Sequence, residues 1–176
     1  MGYPEDMSDP TGHQDPRWLS ADENLTWLRL SEVIIRLPSA LDAQLTRDAG
    51  ISFYEYMVLA MLSEQDDRTL GMGQLARLTS GSLSRLSHVV KRLEKQGFVR
   101  REPSVRDRRH TNAILTDAGL DKIVATAPSH VENVRNLVFD ALTPEQSHGL
   151  RDATSLIRDQ IDPTDEWKIA PDSPTA

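Results

Sequence analysis

Apolar residues recur along most of this chain at intervals of three and four, the spacing of one face of an α-helix. Over residues 22–48 the repeat runs through Leu25, Leu28, Ile34, Leu37, Leu41 and Leu45. Pro38 falls inside it and predicts a kink or a division, because proline lacks an N–H and crowds the preceding turn. Gly50 stands where a C-cap glycine closes a helix. A second helix is predicted over Phe53–Ser63, opened by Ser52 and ended by the polar run Glu64-Gln65-Asp66-Asp67. After the short piece Thr69-Leu70-Gly71, a brief helix over residues 73–78 precedes the turn Thr79-Ser80-Gly81. Ser82 is then the N-cap of a longer helix over residues 83–96, with Gly97 at its C′ position. Residues 98–103 and Thr111–Leu115 read as strands flanking a charged loop over residues 104–109, a β-hairpin by position. Thr116 caps a helix reaching about Leu142, and Thr143-Pro144-Glu145 opens a last one that ends near Ile161.

A short helix, a tight turn, a longer helix and a charged hairpin, in that order, predict a winged helix-turn-helix. On the longer helix, Leu83, Leu86, Val89, Val90 and Leu93 share one face, and Ser84, Arg85, His88, Lys91, Arg92 and Lys95 share the other. A helix that is apolar on one side and cationic on the other can lie in a DNA major groove while packed on its own domain. Only its first turns reach base edges, so Ser84, Arg85 and His88 are the candidate base readers. Ser82, Ser87, Lys91, Arg92 and Lys95 are better placed for phosphates or capping. Arg106, Arg108 and Arg109 at the hairpin tip suit a narrow minor groove, and one of the last two can instead brace the hairpin through Asp107.

Charge distribution changes the picture more than charge itself. The chain carries a formal net charge of −7, which taken alone argues against a polyanionic partner. Yet Arg68 to His110 hold eleven Lys/Arg against three Asp/Glu, while the remaining residues hold nine against twenty-four. A basic block within an acidic chain is the electrostatic footprint of a nucleic-acid surface.

These residues also carry a family resemblance. Leu75-Ala76, the run Leu86-Ser87-His88-Val89-Val90-Lys91-Arg92-Leu93-Glu94, Gly97-Phe98-Val99, Asp107-Arg108-Arg109, and Leu115-Thr116 followed by Ala118-Gly119 resemble the MarR family of regulators. The resemblance covers about residues 20 to 161. It implies a mainly α protomer with a small β-hairpin wing, ordered α-α-β-α-α-β-wing-β-α-α, with flanking helices that make an obligate homodimer. It also implies binding to a palindromic double-stranded operator, as a repressor or less often an activator, and response to a small aromatic or amphipathic effector. Trp27 and Tyr56 are the candidate effector contacts, against the plainer reading that they pack the core and dimer. His88 stands where the family usually has arginine, and Ser104-Val105-Arg106 where an Asp-Pro turn is common.

The expected organisation is an N-terminal flexible arm (1–17), a first dimerisation helix region (18–50), a DNA-binding lobe (51–116), C-terminal dimerisation helices (117–161) and a flexible tail (162–176). With no cysteine, disulfides, thiolate zinc sites and thiol redox switching are excluded. The chain shows neither a secretory signal nor a long apolar run, so the expected location is the cytoplasm, without membrane contact. No catalytic triad, metal site, phosphate loop or cofactor site is expected. Gly71-Met72-Gly73-Gln74-Leu75-Ala76 fits a dinucleotide fingerprint but reads as a strand-to-helix turn, lacking the βαβ context. The rival readings are a winged-helix protein-interaction module without DNA affinity, and a metal- or ligand-binding enzyme on a helical scaffold.

Overall fold

The structure, a computed structural model, describes residues 16–104, 107 and 109–162. The expected flexible arms therefore lie outside the described residues, apart from residues 16, 17 and 162. The elements are α1 (Ala21–Ala49), α2 (Phe53–Ser63), β1 (Thr69–Gly71), α3 (Met72–Leu78), α4 (Leu83–Lys95), β2 (Val99–Pro103), β3 (Thr111–Leu115), α5 (Asp117–Leu137), a 3-10 turn (Phe139–Ala141) and α6 (Pro144–Ile161). By its internal contacts the chain divides into residues 1–36 and residues 37–176.

The boundaries have local causes. Ser52 accepts from the backbone N–H of Glu55, and the Glu55 carboxylate accepts from that of Ser52, a reciprocal capping box at the start of α2. Ser82 and Thr116 cap α4 and α5, and Thr143 with Gln146 repeats the box at α6. At the end of α4, Gly97 adopts φ +80°, donates to Glu94, and lets Phe98 donate to Leu93, a Schellman closure. Pro38 neither ends nor divides α1, which is one helix of 29 residues. The helix after Thr116 stops at Leu137, short of the expected Leu142, and gives way to the 3-10 turn.

The hairpin has a third strand. β1 pairs antiparallel with β3, placing Thr69 opposite Ile114, and β3 pairs with β2, placing Val99 opposite Leu115. The order β1-β3-β2 is antiparallel throughout, so the glycine-rich run at Gly71 has no βαβ unit around it. The lobe's core is built from Val58, Leu59 and Leu62 of α2, Leu75 of α3, and Leu86, Val90 and Leu93 of α4, all fully buried. Gly119 lets α5 start against the sheet: a Cβ there would lie 2.2 Å from the Phe98 carbonyl oxygen.

Candidate nucleic-acid interface

The turn between α3 and α4 sets the recognition surface. Its left-handed residue is Ser80, at φ +48°, not the glycine. Gly81 answers a demand for space: a Cβ there would fall 2.0 Å from the Tyr54 hydroxyl. That hydroxyl lies 2.9 Å from Thr79 Oγ1, which itself donates to the Leu75 carbonyl at 2.8 Å. With the threonine proton so used, Tyr54 is the donor to Thr79. The turn is shaped around the Tyr54 ring.

On α4 the buried side is Leu86, Val90 and Leu93. Leu83, expected on that face, is 55% exposed. It is the first helical residue, its side chain leans toward the N-terminus, and only the turn precedes it, so no core lies there to cover it. Ser84, Arg85, His88, Lys91, Arg92 and Lys95 are exposed, as is the cap Ser82, and Ser87 is half-buried. The Ser82 hydroxyl is occupied as the helix cap, accepting from the Arg85 backbone.

The cations on this face are not equivalent. The Arg85 guanidinium lies over the Tyr54 ring, 4.4 Å from its centroid. Arg92 Nε donates to Glu55 Oε1 at 2.5 Å, and the Glu55 side chain is 4% exposed. The guanidinium expected to reach phosphate is thus tied to α2. Among the described residues Lys91 and Lys95 have no ion-pair partner. Each of the three acids within the basic block is matched to an arginine: Glu94 to Arg101, Glu102 to Arg100 and Asp107 to Arg109. The hydrogen bond from Arg101 holds the Glu94 carboxyl below its ordinary range. Arg109 binds Asp107 through both backbone and guanidinium, holding that carboxyl down at about 2. Arg109 is therefore the arginine that braces the wing. Arg106 and Arg108 lie outside the described residues.

Of the expected effector contacts, Trp27 is half exposed and lies within residues 1–36. Tyr56 is partly buried, its ring 4.3 Å from that of His130, and burial raises its hydroxyl pKa. An open cleft of about 470 Å³ is lined by Pro38, Ser39, Asp42, Phe53, Tyr54 and Arg85, with Ala43; neither Trp27 nor Tyr56 lines it. Sequence reasoning missed Glu55, although Ser52-Phe53-Tyr54-Glu55 is a legible capping-box pattern. It also missed the place of Tyr54 beneath Arg85, for which the sequence offers no signal, since 31 residues separate the two.

A capped, one-side-buried α4 beside a three-stranded sheet with a charged hairpin defines a winged helix-turn-helix protein. The MarR family model matches residues 51–111. The HTH-type transcriptional regulator PecS of Dickeya dadantii is 31% identical over 120 residues, which cover 68% of this chain and 72% of PecS. Among solved structures, Sco3205 of Streptomyces coelicolor, a MarR family transcriptional regulator in complex with DNA, is 44% identical with a TM-score of 0.78. That match covers 84% of this chain and 92% of Sco3205. AbsC from the same organism, also a MarR family transcriptional regulator, is 36% identical with a TM-score of 0.76, covering 83% and 98%. The chain belongs to the MarR family. These relatives are transcriptional regulators rather than enzymes, and no helix among the described residues is long and apolar enough to cross a membrane.

Proposed function

We propose that this chain is a homodimeric, sequence-specific DNA-binding regulator that seats α4 in the major groove of each half of a palindromic operator. The observation that carries the proposal is α4 itself, buried along Leu86, Val90 and Leu93 and exposed along its cationic side. Sco3205, so similar in sequence and fold, binds DNA. Arg85, with Ser84 and His88, reads base edges from the first turns. Ser82, Ser87, Lys91 and Lys95 meet the backbone, and Arg92 reaches phosphate only by leaving Glu55. The wing, with Arg106, Arg108 and the braced Arg109, approaches the minor groove.

Dimerisation through the flanking helices is supported by apolar residues the protomer leaves in water. In residues 1–36 these include Trp18, Leu28 and Ile35; on α5 and α6 they include Val124, Leu156 and Ile161. So many exposed large apolar side chains mark an association surface. A two-fold dimer would set its recognition helices about 34 Å apart, one DNA turn. Response to a small aromatic or amphipathic effector is supported by the cleft, where an occupant and a base would compete for Arg85. Trp27 and Tyr56 remain residues to test for effector contact one at a time.

The test is titration of a duplex selected from a randomised pool, its single-base variants and random duplex, at two salt concentrations. Affinity should fall with salt by a log–log slope of about −0.9 per phosphate contact. Arg85→Ala should cost about 1–3 kcal/mol on the selected duplex, relax preference at one base pair per half-site, and cost much less on random DNA. A flat salt response with no selected sequence would instead identify a protein-interaction module.

A further inference from the structure

We infer that Tyr54 is a positioning residue for Arg85, its ring holding the guanidinium in place over the first turns of α4 so that base discrimination is sharpened. The inference rests on the proposed reading of Arg85 as a base reader.

An arginine on the exposed first turn of a helix is ordinarily free to sample many rotamers, and each must be given up when it engages a base. Here the guanidinium carbon already lies over an aromatic ring, 4.4 Å from its centroid. The cation–π contact is made through the ring face, whereas bidentate recognition of guanine O6 and N7 uses the guanidinium N–H edge. The two contacts are therefore compatible, and the arginine can meet the groove without leaving the ring.

The platform is itself held from several sides. The Tyr54 hydroxyl is tied to Thr79 at 2.9 Å, and Thr79 to the last turn of α3 through Leu75. Gly81 clears the space the ring occupies, since a Cβ there would also lie 2.9 Å from Tyr54 Cζ. The next residue, Glu55, grips Arg92 two turns further along α4. The Phe53 backbone is anchored to Asp42 of α1 at 2.8 Å. The first turn of α2 thus meets α4 at two points, one under a base-reading residue and one beside the phosphate-facing row.

The experiment compares Tyr54→Leu, Tyr54→Phe and Arg85→Ala as full chains. The readout is the affinity ratio between the selected duplex and its single-base variants, with random duplex and salt slope measured alongside. Tyr54→Leu should reduce the ratio about two- to fivefold per half-site, the value of an exposed cation–π contact. Its binding to random duplex and its salt slope should stay unchanged, which a merely structural role for the ring would not predict. Tyr54→Phe keeps the ring and should hold the ratio within about twofold. Loss of discrimination in Arg85→Ala but not in Tyr54→Leu overturns the positioning role alone. Unaltered discrimination in Arg85→Ala overturns the base-reading role and this inference with it. Should Tyr54→Leu not fold, proton NMR of the wild-type chain decides. Ring-current upfield shifts of the Arg85 side chain that persist on the selected duplex support the platform, and their disappearance on DNA refutes it.

Discussion

Glu55→Ala should be among the more damaging single changes in the DNA-binding lobe, although Glu55 is not itself among the residues proposed to contact DNA. Its carboxylate, in a side chain only 4% exposed, accepts from the Ser52 backbone at 2.8 Å, the Ser52 hydroxyl at 2.9 Å and Arg92 at 2.5 Å. Truncation removes half of a capping box, a loss of about 1 kcal/mol. It also removes a charged hydrogen bond whose full value of about 1.5–3 kcal/mol must be discounted, because the Arg92 side chain is 57% exposed to screening water. Together these come to about 2–3 kcal/mol, or roughly 5–10 °C in Tm for a chain of this length. Arg92→Ala should lose only about 1 kcal/mol, since Ser52 still satisfies the carboxylate. The assay is thermal and urea unfolding at fixed protomer concentration, because the stability of the proposed dimer would depend on it. In DNA titrations Arg92→Ala should leave the salt slope nearly unchanged, while Lys91→Ala lowers it by about 0.9 for each phosphate the lysine no longer neutralises. A Glu55→Ala protein within about 0.5 kcal/mol of wild type would refute the idea that this carboxylate joins α2 to α4.

Two further changes probe the lobe and its flank. Gly119→Ala forces a methyl to 2.2 Å from the Phe98 carbonyl oxygen, a backbone atom that cannot swing away, and should destabilise by about 1–3 kcal/mol in urea unfolding. Gly73→Ala, at an exposed position of α3 with only the Arg77 side-chain tip near at 3.9 Å, should be neutral or stabilising by up to about 1 kcal/mol; equal effects would contradict the packing account. His130 donates from Nδ1 to Gln44 Oε1, because the Gln44 amide nitrogen is occupied by Asp48, and burial lowers its pKa. Its contribution is complete above the ordinary histidine value of about 6.5 and is lost as pH falls through the lower folded value, so stability should decline on acidification and His130→Gln should flatten that decline. Asp107, held at about 2, keeps its contribution above the ordinary carboxyl range and loses it only as pH falls toward 2, so DNA affinity should show no titration of the Asp107 carboxyl between about pH 5 and 8.

How much could be read in advance follows from the range of each interaction. Ser52, Ser82, Thr116 and Thr143 act on backbone groups within three residues, so each was legible as a helix start, and all four cap in the structure. The two faces of α4 were legible because helical periodicity is local, with Leu83 the exception: periodicity assigns an angle around the axis but not the point along it where the core ends. Whether Pro38 would divide its helix was not legible, for the complementary reason. A proline removes one hydrogen bond, and whether a helix of 29 residues survives that loss depends on the rest of its length.

The tertiary structure decided which charges are free. Eleven basic residues between Arg68 and His110 are equal in composition. Folding sets Arg92 against Glu55 and Arg101 against Glu94, while Arg85 rests on Tyr54 and Lys91 and Lys95 face water. The sequence by itself determined that a cationic helix face would exist and where its caps and turn would fall, because those depend on neighbours a few residues away. The long-range partners come from elements up to 49 residues distant, as with Arg68 and Asp117; Glu55 is 37 residues from Arg92, and only the packing of α2 against α4 brings that pair within hydrogen-bonding reach.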